Sequence, residues 1–306
     1  CVAARRSPDR PWAGPVVACP ASPVGTLGPG MIFEQLVNPD LGCASYLVGC
    51  EGAGEVVVID PHLAIEPILD AAGRHGARIV RVLETHTHAD HVSGHGRLAL
   101  EHGIPVGIHP VARVEYPHDP VEDGHEIRVG MVSLRCLHTP GHRPEHCCFA
   151  VVDHTRAEEP WLVLTGDSLF VGDTARPDLA VGGVEGATGL FASLRRLVGL
   201  GDGVEVYPGH VSGSLCGRGM SSKGSTTIGF ERRFNPMLQL VDVDAFVRVS
   251  AGIAAPKPPN LTRIVAANHG PFRPAEGEAQ ELSDAPADAQ LLDVRAYDAF
   301  VAGHRA

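Results

Sequence analysis

Aromatic residues and long apolar runs are scarce in this sequence. Aromatics make up 5% of the 306 residues, whereas glycine (36) and proline (25) are abundant. This balance argues against a helical bundle and favours a loop-rich α/β protein with an aliphatic core. No apolar run approaches the roughly 20 residues that are needed to cross a bilayer. The sequence therefore predicts no membrane-spanning helix and no membrane partner.

Positive charge is also in short supply. The formal net charge is -11, because 36 aspartates and glutamates outnumber 25 lysines and arginines. Nucleic acids and anionic membrane surfaces are bound through basic faces. We therefore expect neither to be a partner.

The eight cysteines form no CxxC pair and no compact disulfide framework. Their irregular spacing does not suit a small, disulfide-rich domain. It indicates mostly reduced thiols, and from this we expect a cytoplasmic protein.

Composition divides the chain into four parts. Residues 1–30 lack an initiating methionine, and prolines break their short apolar stretch, which predicts a disordered tail. Residues 31–251 carry regular patterns and predict the main domain. Residues 252–286 are rich in proline, alanine and acid, which is typical of a linker, with one short element at Ile264–Ala267. Residues 287–306 predict one strand and the start of a helix, too little to bury a core alone.

Strands and helices are predicted in an order that favours two sheets. Short β-type runs recur from Met31 onward, and they come in groups with helical patterns set between them. The helical patterns cover residues 64–76, 93–102, 190–200 and 242–251. This order predicts an α/β fold of two mixed sheets with helices outside, rather than a doubly wound parallel sheet.

A dense group of histidines follows one of the predicted strands. The stretch THTHADHVSGHG, Thr85–Gly96, comes directly after the apolar run Ile79–Leu83. Imidazoles this close would repel one another if protonated, and a shared metal ion would hold them neutral and aimed at one point. The sequence therefore predicts a metal site on this loop.

Three more polar signals come where strands are predicted to end. LHTPGH ends at His142, TGD ends at Asp167 and YPGH ends at His210. The preceding glycines permit tight turns, and rigid strands can hold such loop ligands accurately. Together with the histidine loop they give seven candidate metal ligands: His86, His88, Asp90, His91, His142, Asp167 and His210.

The ligand types leave two metal centres open. Seven ligands suit two zinc ions bridged by Asp167, with a bound hydroxide that attacks a carbonyl or phosphoryl group. His86, His142 and Asp167 alone would form a two-histidine, one-carboxylate face that suits non-haem Fe(II). Both interpretations need the same residue types.

The ligand motifs resemble those of the metallo-β-lactamase superfamily in type and in order. The resemblance covers roughly Met31–Val211 and implies an αββα sandwich with the site at one edge. The stretch GDSLFVGDTARPDLA, from Gly166, is similar to the one that follows the aspartate ligand in persulfide dioxygenases fused to a rhodanese domain. LLDVRAYDAFVAGHRA at the end resembles the opening of a rhodanese domain. One departure is Ala175, where glycine is expected before the arginine.

This second resemblance implies an activity and a cofactor. One Fe(II) per subunit would be held by His86, His142 and Asp167, which would be the catalytic centre. A low-molecular-weight persulfide such as glutathione persulfide would react with O2 to give sulfite and free thiol. Arg176 and Arg218 would bind the substrate. The other four candidates would orient the ligands or hold a second metal: His88, Asp90, His91 and His210.

Further partners and alternatives accompany this interpretation. The resemblance implies a rhodanese domain in the full-length protein, and a homo-oligomer is possible. The main alternative is a dinuclear zinc thioesterase of the glyoxalase II type, although no long helical extension is predicted after His210. The other is a metal-binding module without turnover that docks the rhodanese partner.

Overall fold

Two six-stranded sheets form the centre of the fold. The predicted start of a second domain at 287–306, residues 1–29 of the predicted tail, and Arg218 lie outside the part of the chain that the structure describes. The structure is a computed structural model that describes residues 30–211, 219–252, 257 and 260–272.

The first sheet runs in chain order from β1 to β6. It contains β1 Met31–Val37, β2 Ala44–Cys50, β3 Glu55–Ile59, β4 Arg78–Leu83, β5 Val106–Ile108 and β6 Asp119–Pro120. The first three strands are antiparallel, and β3 to β6 are parallel. The antiparallel pairs form the meander that the turn residues around them predict.

The second sheet has the order β12-β11-β10-β9-β8-β7. It contains β7 Glu126–Val129, β8 Val132–His138, β9 Cys147–Asp153, β10 Leu162–Gly166, β11 Glu205–Pro208 and β12 Thr226–Thr227. Strand β9 is antiparallel to both β8 and β10, and β10 is parallel to β11. Strands β8, β10 and β11 therefore run in the same direction and end at the same edge.

Helices cover the outer faces of the two sheets. They are α1 Glu66–Arg74, α2 His95–His102, α3 Gly183–Val198, α4 Ile228–Phe234, α5 Val243–Ala251 and α6 Leu261–His269. No helix among the described residues has the length and apolar character to cross a membrane.

Three large apolar clusters hold these layers together. Alternate residues of β2 point to opposite faces, so Tyr46 packs between the sheets and Leu47 packs under α1 and α2. Leu190 of α3 and Phe246 of α5 pack on the outer face of the second sheet. The layers are helix, sheet, sheet and helix, which confirms the predicted αββα sandwich.

Helix α3 begins seven residues before its predicted start, at Gly183 rather than Leu190. The early turns contain Gly186 and Gly189, and glycine weakens a helical pattern. The close packing requires them: a Cβ on Gly186 would lie 2.1 Å from the carbonyl oxygen of Pro177. The start of α3 is therefore set by tertiary packing, and the helix propensity of the local sequence does not reveal it.

The predicted linker, residues 252–286, contains α6, which is longer than the short element expected there. The segment that ends at Phe272 belongs to the same compact unit as the two sheets. The last residues of this unit are therefore part of the main body, beyond the boundary predicted at residue 251.

The five cysteines in the described part are free thiols, as expected: Cys43, Cys50, Cys136, Cys147 and Cys148.

Candidate metal centre

Three of the predicted ligands lie together where the two sheets meet. His86 follows β4 of the first sheet, while His142 and Asp167 follow β8 and β10 of the second. One potential ligand atom from each lies within 4.8 Å of the others, and all three residues are buried. The amide of Cys147 donates to the carbonyl of Thr85 at 2.8 Å and so ties the two sheets at this edge.

The imidazole of His86 is held through Nδ1. Thr85 donates its hydroxyl hydrogen to Oδ2 of Asp60 at 2.7 Å. Having given that hydrogen away, the Thr85 hydroxyl accepts from Nδ1 of His86 at 2.8 Å. Nε2 of His86 therefore keeps its lone pair for a metal.

His142 is held in the same way by a backbone carbonyl. Its Nδ1 lies 3.0 Å from the carbonyl oxygen of Arg176, which can only accept, so Nδ1 carries the hydrogen. Nε2 is again the free nitrogen. The preceding Gly141 has φ +152, and a Cβ there would lie 2.5 Å from Leu190 of α3. Only glycine fits this turn, which aims His142 at the site.

Asp167 has one oxygen held and one unpaired. Oδ1 accepts from Nδ1 of His210 at 2.8 Å. Oδ2 is buried, has no hydrogen-bond partner among the described residues, and lies 3.6 Å from Nε2 of His142. The backbone amide of Asp167 donates to Nε2 of His146 at 3.0 Å, which fixes the start of this loop.

These free atoms fit a metal ion. A buried carboxylate oxygen without a partner is costly unless a cation meets it. In each of the three residues, the side-chain atom far from the proposed metal position is hydrogen-bonded to a neighbour, and the near atom is available to the metal. This is the usual arrangement of metal ligands in proteins. Two imidazoles and one carboxylate suit Fe(II), and the same donors also bind zinc.

The protonation states agree with this assignment. Burial holds the pKa of His86 well below its usual range, and the neighbouring His88 adds to this. Burial also lowers the pKa of His142. Burial favours a neutral carboxyl at Asp167, but His210 outweighs it and lowers the pKa. Neutral imidazoles and an ionised carboxylate are the forms that a metal binds.

Three of the other predicted ligands are hydrogen-bonded together. Asp90 accepts from Nδ1 of His91 at 3.1 Å and from Nε2 of His210 at 2.7 Å. Both ring nitrogens of His210 therefore face carboxylates, which only accept. Burial opposes a charge on His210, but Asp167 and Asp90 raise its pKa to about 10. His210 is a buried cation in this arrangement and has no lone pair left for a metal.

His88 lies between two buried carboxylates. Its Nε2 is 3.1 Å from Oε2 of Glu84 and 3.3 Å from Oδ1 of Asp60, close enough for ion pairs but without the alignment of hydrogen bonds. Burial opposes the charge, but Asp60 and Glu84 raise the pKa of His88. One atom each of His88, Asp90 and His91 also lie within 4.8 Å of one another, so a second metal could bind here.

The predicted substrate arginines have different outcomes. Arg176 is buried, and its Nε and Nη2 donate to Asp178 at 2.7 and 2.8 Å. Its backbone carbonyl oxygen accepts from Nδ1 of His142. Ala175 packs against Phe170, so the extra methyl group is accommodated. A substrate role for Arg176 stays a prediction, and Arg218 lies outside the described residues.

Sequence reasoning missed four residues that support the centre. Asp60 directly follows β3 at the same sheet edge, so the signal that marked the ligands, a polar residue after an apolar strand, was present there. It has φ 49, a backbone conformation that non-glycine residues rarely adopt outside functional sites. Glu84 directly follows β4 and shows the same signal. His146 and Asn268 carry no such signal, because their contacts come from tertiary structure.

The fold and the centre define a class of protein: an αββα sandwich with a histidine and aspartate metal site at one edge. The family model of the metallo-beta-lactamase superfamily matches residues 38–210. This chain belongs to that superfamily.

Individual relatives narrow the comparison. Human mitochondrial persulfide dioxygenase ETHE1 is 31% identical over 250 residues, which are 80% of this chain and 90% of that protein. The crystal structure of ETHE1 from Myxococcus xanthus superposes with a TM-score of 0.69 at 29% identity, over 78% of this chain and 98% of that chain. A metallo-beta-lactamase from Staphylococcus aureus has a TM-score of 0.79 at 28% identity, over 90% of this chain and 82% of that one.

Proposed function

We propose that this chain is a persulfide dioxygenase with one Fe(II) held by His86, His142 and Asp167. The reaction is RSSH + O2 + H2O → RSH + sulfite + 2 H⁺, in which the two persulfide sulfur atoms together lose four electrons and O2 gains them. The observation that carries this proposal is the set of three ligand atoms left free by their neighbours. The persulfide dioxygenases among its relatives support the choice of substrate.

The chain's own residues prepare the site. His86, His142 and Asp167 would hold a ferrous ion, which would supply the redox chemistry for sulfur and O2. Thr85 and the Arg176 carbonyl keep the two imidazoles in the tautomer that exposes Nε2. His210 keeps Asp167 ionised and turned, so that Oδ2 remains available.

A single metal is favoured by the pairing around Asp90. Both of its oxygens accept hydrogen bonds, and both nitrogens of His210 donate them. A second metal would have to break these bonds and remove at least one proton.

The substrate's thiol carrier is expected to carry carboxylates. Arg143, adjacent to His142, has its Nε on Glu145 at 2.7 Å and its side chain 13% exposed. The same Glu145 oxygen accepts the amide of Thr87 at 3.1 Å, which places this guanidinium beside the histidine loop. Arg143 therefore joins Arg176 as a candidate for binding the carrier's carboxylate. The rhodanese partner stays part of the proposal.

The test is metal analysis and O2 uptake on anaerobically purified protein. We expect about one iron per chain, with O2 consumed and sulfite formed from glutathione persulfide. His142→Ala should lose both the iron and the O2 uptake. Iron-loaded wild-type protein that consumes no O2 with this substrate would reject the proposal.

The second candidate is a dinuclear zinc thioesterase, and the group formed by His88, Asp90 and His91 favours it. Protein loaded with two zinc ions should then hydrolyse S-lactoylglutathione. Absence of that hydrolysis at confirmed two-zinc occupancy would eliminate this candidate.

A further inference from the structure

Helix α6 brings one buried amide to the histidine loop. Asn268 is 2% exposed and lies near the end of this helix. Its Nδ2 donates to the carbonyl oxygens of His88 at 3.0 Å and His91 at 2.8 Å, and its Oδ1 accepts from the amide of Ser93 at 2.8 Å. One side chain thus uses both amide hydrogens and the amide oxygen on the backbone of residues 88–93.

The backbone that Asn268 holds carries Asp90. Asp90 accepts from His210 at 2.7 Å, and His210 donates to Oδ1 of Asp167 at 2.8 Å. Hydrogen bonds and the short backbone stretch 88–91 therefore join Asn268 to the carboxylate ligand. A shift of the Asp90 turn would be passed to Asp167 through His210.

We propose that Asn268 is a positioning residue of the metal centre, acting through Asp90 and His210 on the Asp167 carboxylate. The inference depends on the proposed metal site, but it does not depend on which reaction occurs there. Removal of such indirect support typically costs about 10- to 100-fold in metal affinity.

The amide of Asn268 is chemically specific for this position. It faces two acceptors and one donor at the same time, and only a carboxamide of this length matches all three. Aspartate has the same shape, but its second oxygen would face the carbonyls of His88 and His91. Docking of the α6 segment has other contacts that can serve as a control: Phe272 stacks on Tyr116 with ring centroids 4.1 Å apart, and it also packs on His95, at 5.2 Å, outside residues 88–93.

The experiment compares Asn268→Asp and Asn268→Ser with Phe272→Ala in the full chain. The readout is the rate at which a chelator removes iron, together with hydrogen exchange of amides 88–93. We expect both Asn268 variants to lose iron about 10- to 100-fold faster than wild type. Phe272→Ala should lower the melting temperature about as much as the Asn268 variants do. It should nevertheless lose iron at nearly the wild-type rate.

A double-mutant cycle with Asp90→Asn tests the route. If Asn268 acts through Asp90, the double variant loses iron no faster than Asp90→Asn alone. Additive effects would overturn the route, and wild-type iron loss in folded Asn268→Ser would overturn the proposal itself. Iron release is measured without substrate, so a protein that oxidises no persulfide can still support the positioning role. If both Asn268 variants fail to fold, wild-type exchange data decide: amides 88–93 that exchange as fast as exposed loops reject the inference.

Discussion

The two groups of candidate ligands at this edge contain the same residue types but differ in which atoms are left free for a metal. In the first group, which is His86, His142 and Asp167, each far atom is held and each near atom is free. The second group is His88, Asp90, His91 and His210. Asp90 and His210 use both of their polar side-chain atoms on neighbouring side chains, whereas both ring nitrogens of His88 and Nε2 of His91 have no hydrogen-bond partner among the described residues. The number of metals that the site favours is thus decided by which lone pairs remain free, and this depends on the surrounding residues.

The largest effect is expected from a ligand of the first group. His142→Ala removes one of the three free donor atoms, so iron binding should fall by more than the roughly 10- to 100-fold typical of supporting residues. Elemental analysis and O2 uptake measure it. The matched control is His125→Ala, which removes an exposed histidine and should retain iron. Equal iron in both variants would contradict the assignment.

A smaller loss is expected from the second group. His210→Gln removes the cation that holds Asp90 and Asp167, and iron affinity should fall by about 10- to 100-fold. Competition with a chelator measures the affinity. If His210 is instead a metal ligand, the wild type should bind two metals per chain and the variant only one.

The charge on His210 predicts a pH dependence for the metal-free protein. Its pKa is raised to about 10 by Asp167 and Asp90 in spite of burial. The native state therefore binds more protons than the unfolded state between pH 6.5 and 10. This contribution to stability is complete below pH 6.5 and is lost as the pH rises through about 10. Urea unfolding across this range should show the loss, on the order of a few kcal/mol, and His210→Gln should flatten it.

The smallest effect is expected from an ion pair on the surface. Arg74→Ala removes the contact with Glu34, in which the arginine side chain is 59% exposed. Water and salt screen such pairs, so the free energy of unfolding should change by less than about 1 kcal/mol. A loss as large as that in His210→Gln would show that pairing, rather than burial, sets the energies in this protein.

The sequence predicts the strands, the sandwich and seven candidate ligands, because each candidate follows an apolar strand in a short motif. It does not predict the contacts that distinguish the two groups. Asn268 lies 177 residues from His91 along the chain, in a stretch with the composition of a linker. The glycine-rich start of α3 is missed for a related reason, since close approach to Pro177 favours residues that weaken a helix locally.

The buried charge of His210 makes metal loading an exchange of cations. The protonated imidazole of His210 donates one hydrogen to Asp167 and the other to Asp90, and its charge balances these carboxylates in the place where a second divalent ion would do so. Loading of a second ion must release that proton to solvent, so occupancy of the two positions should follow the acidity of the medium. Calorimetric titrations in buffers of different ionisation enthalpy would count the released protons directly.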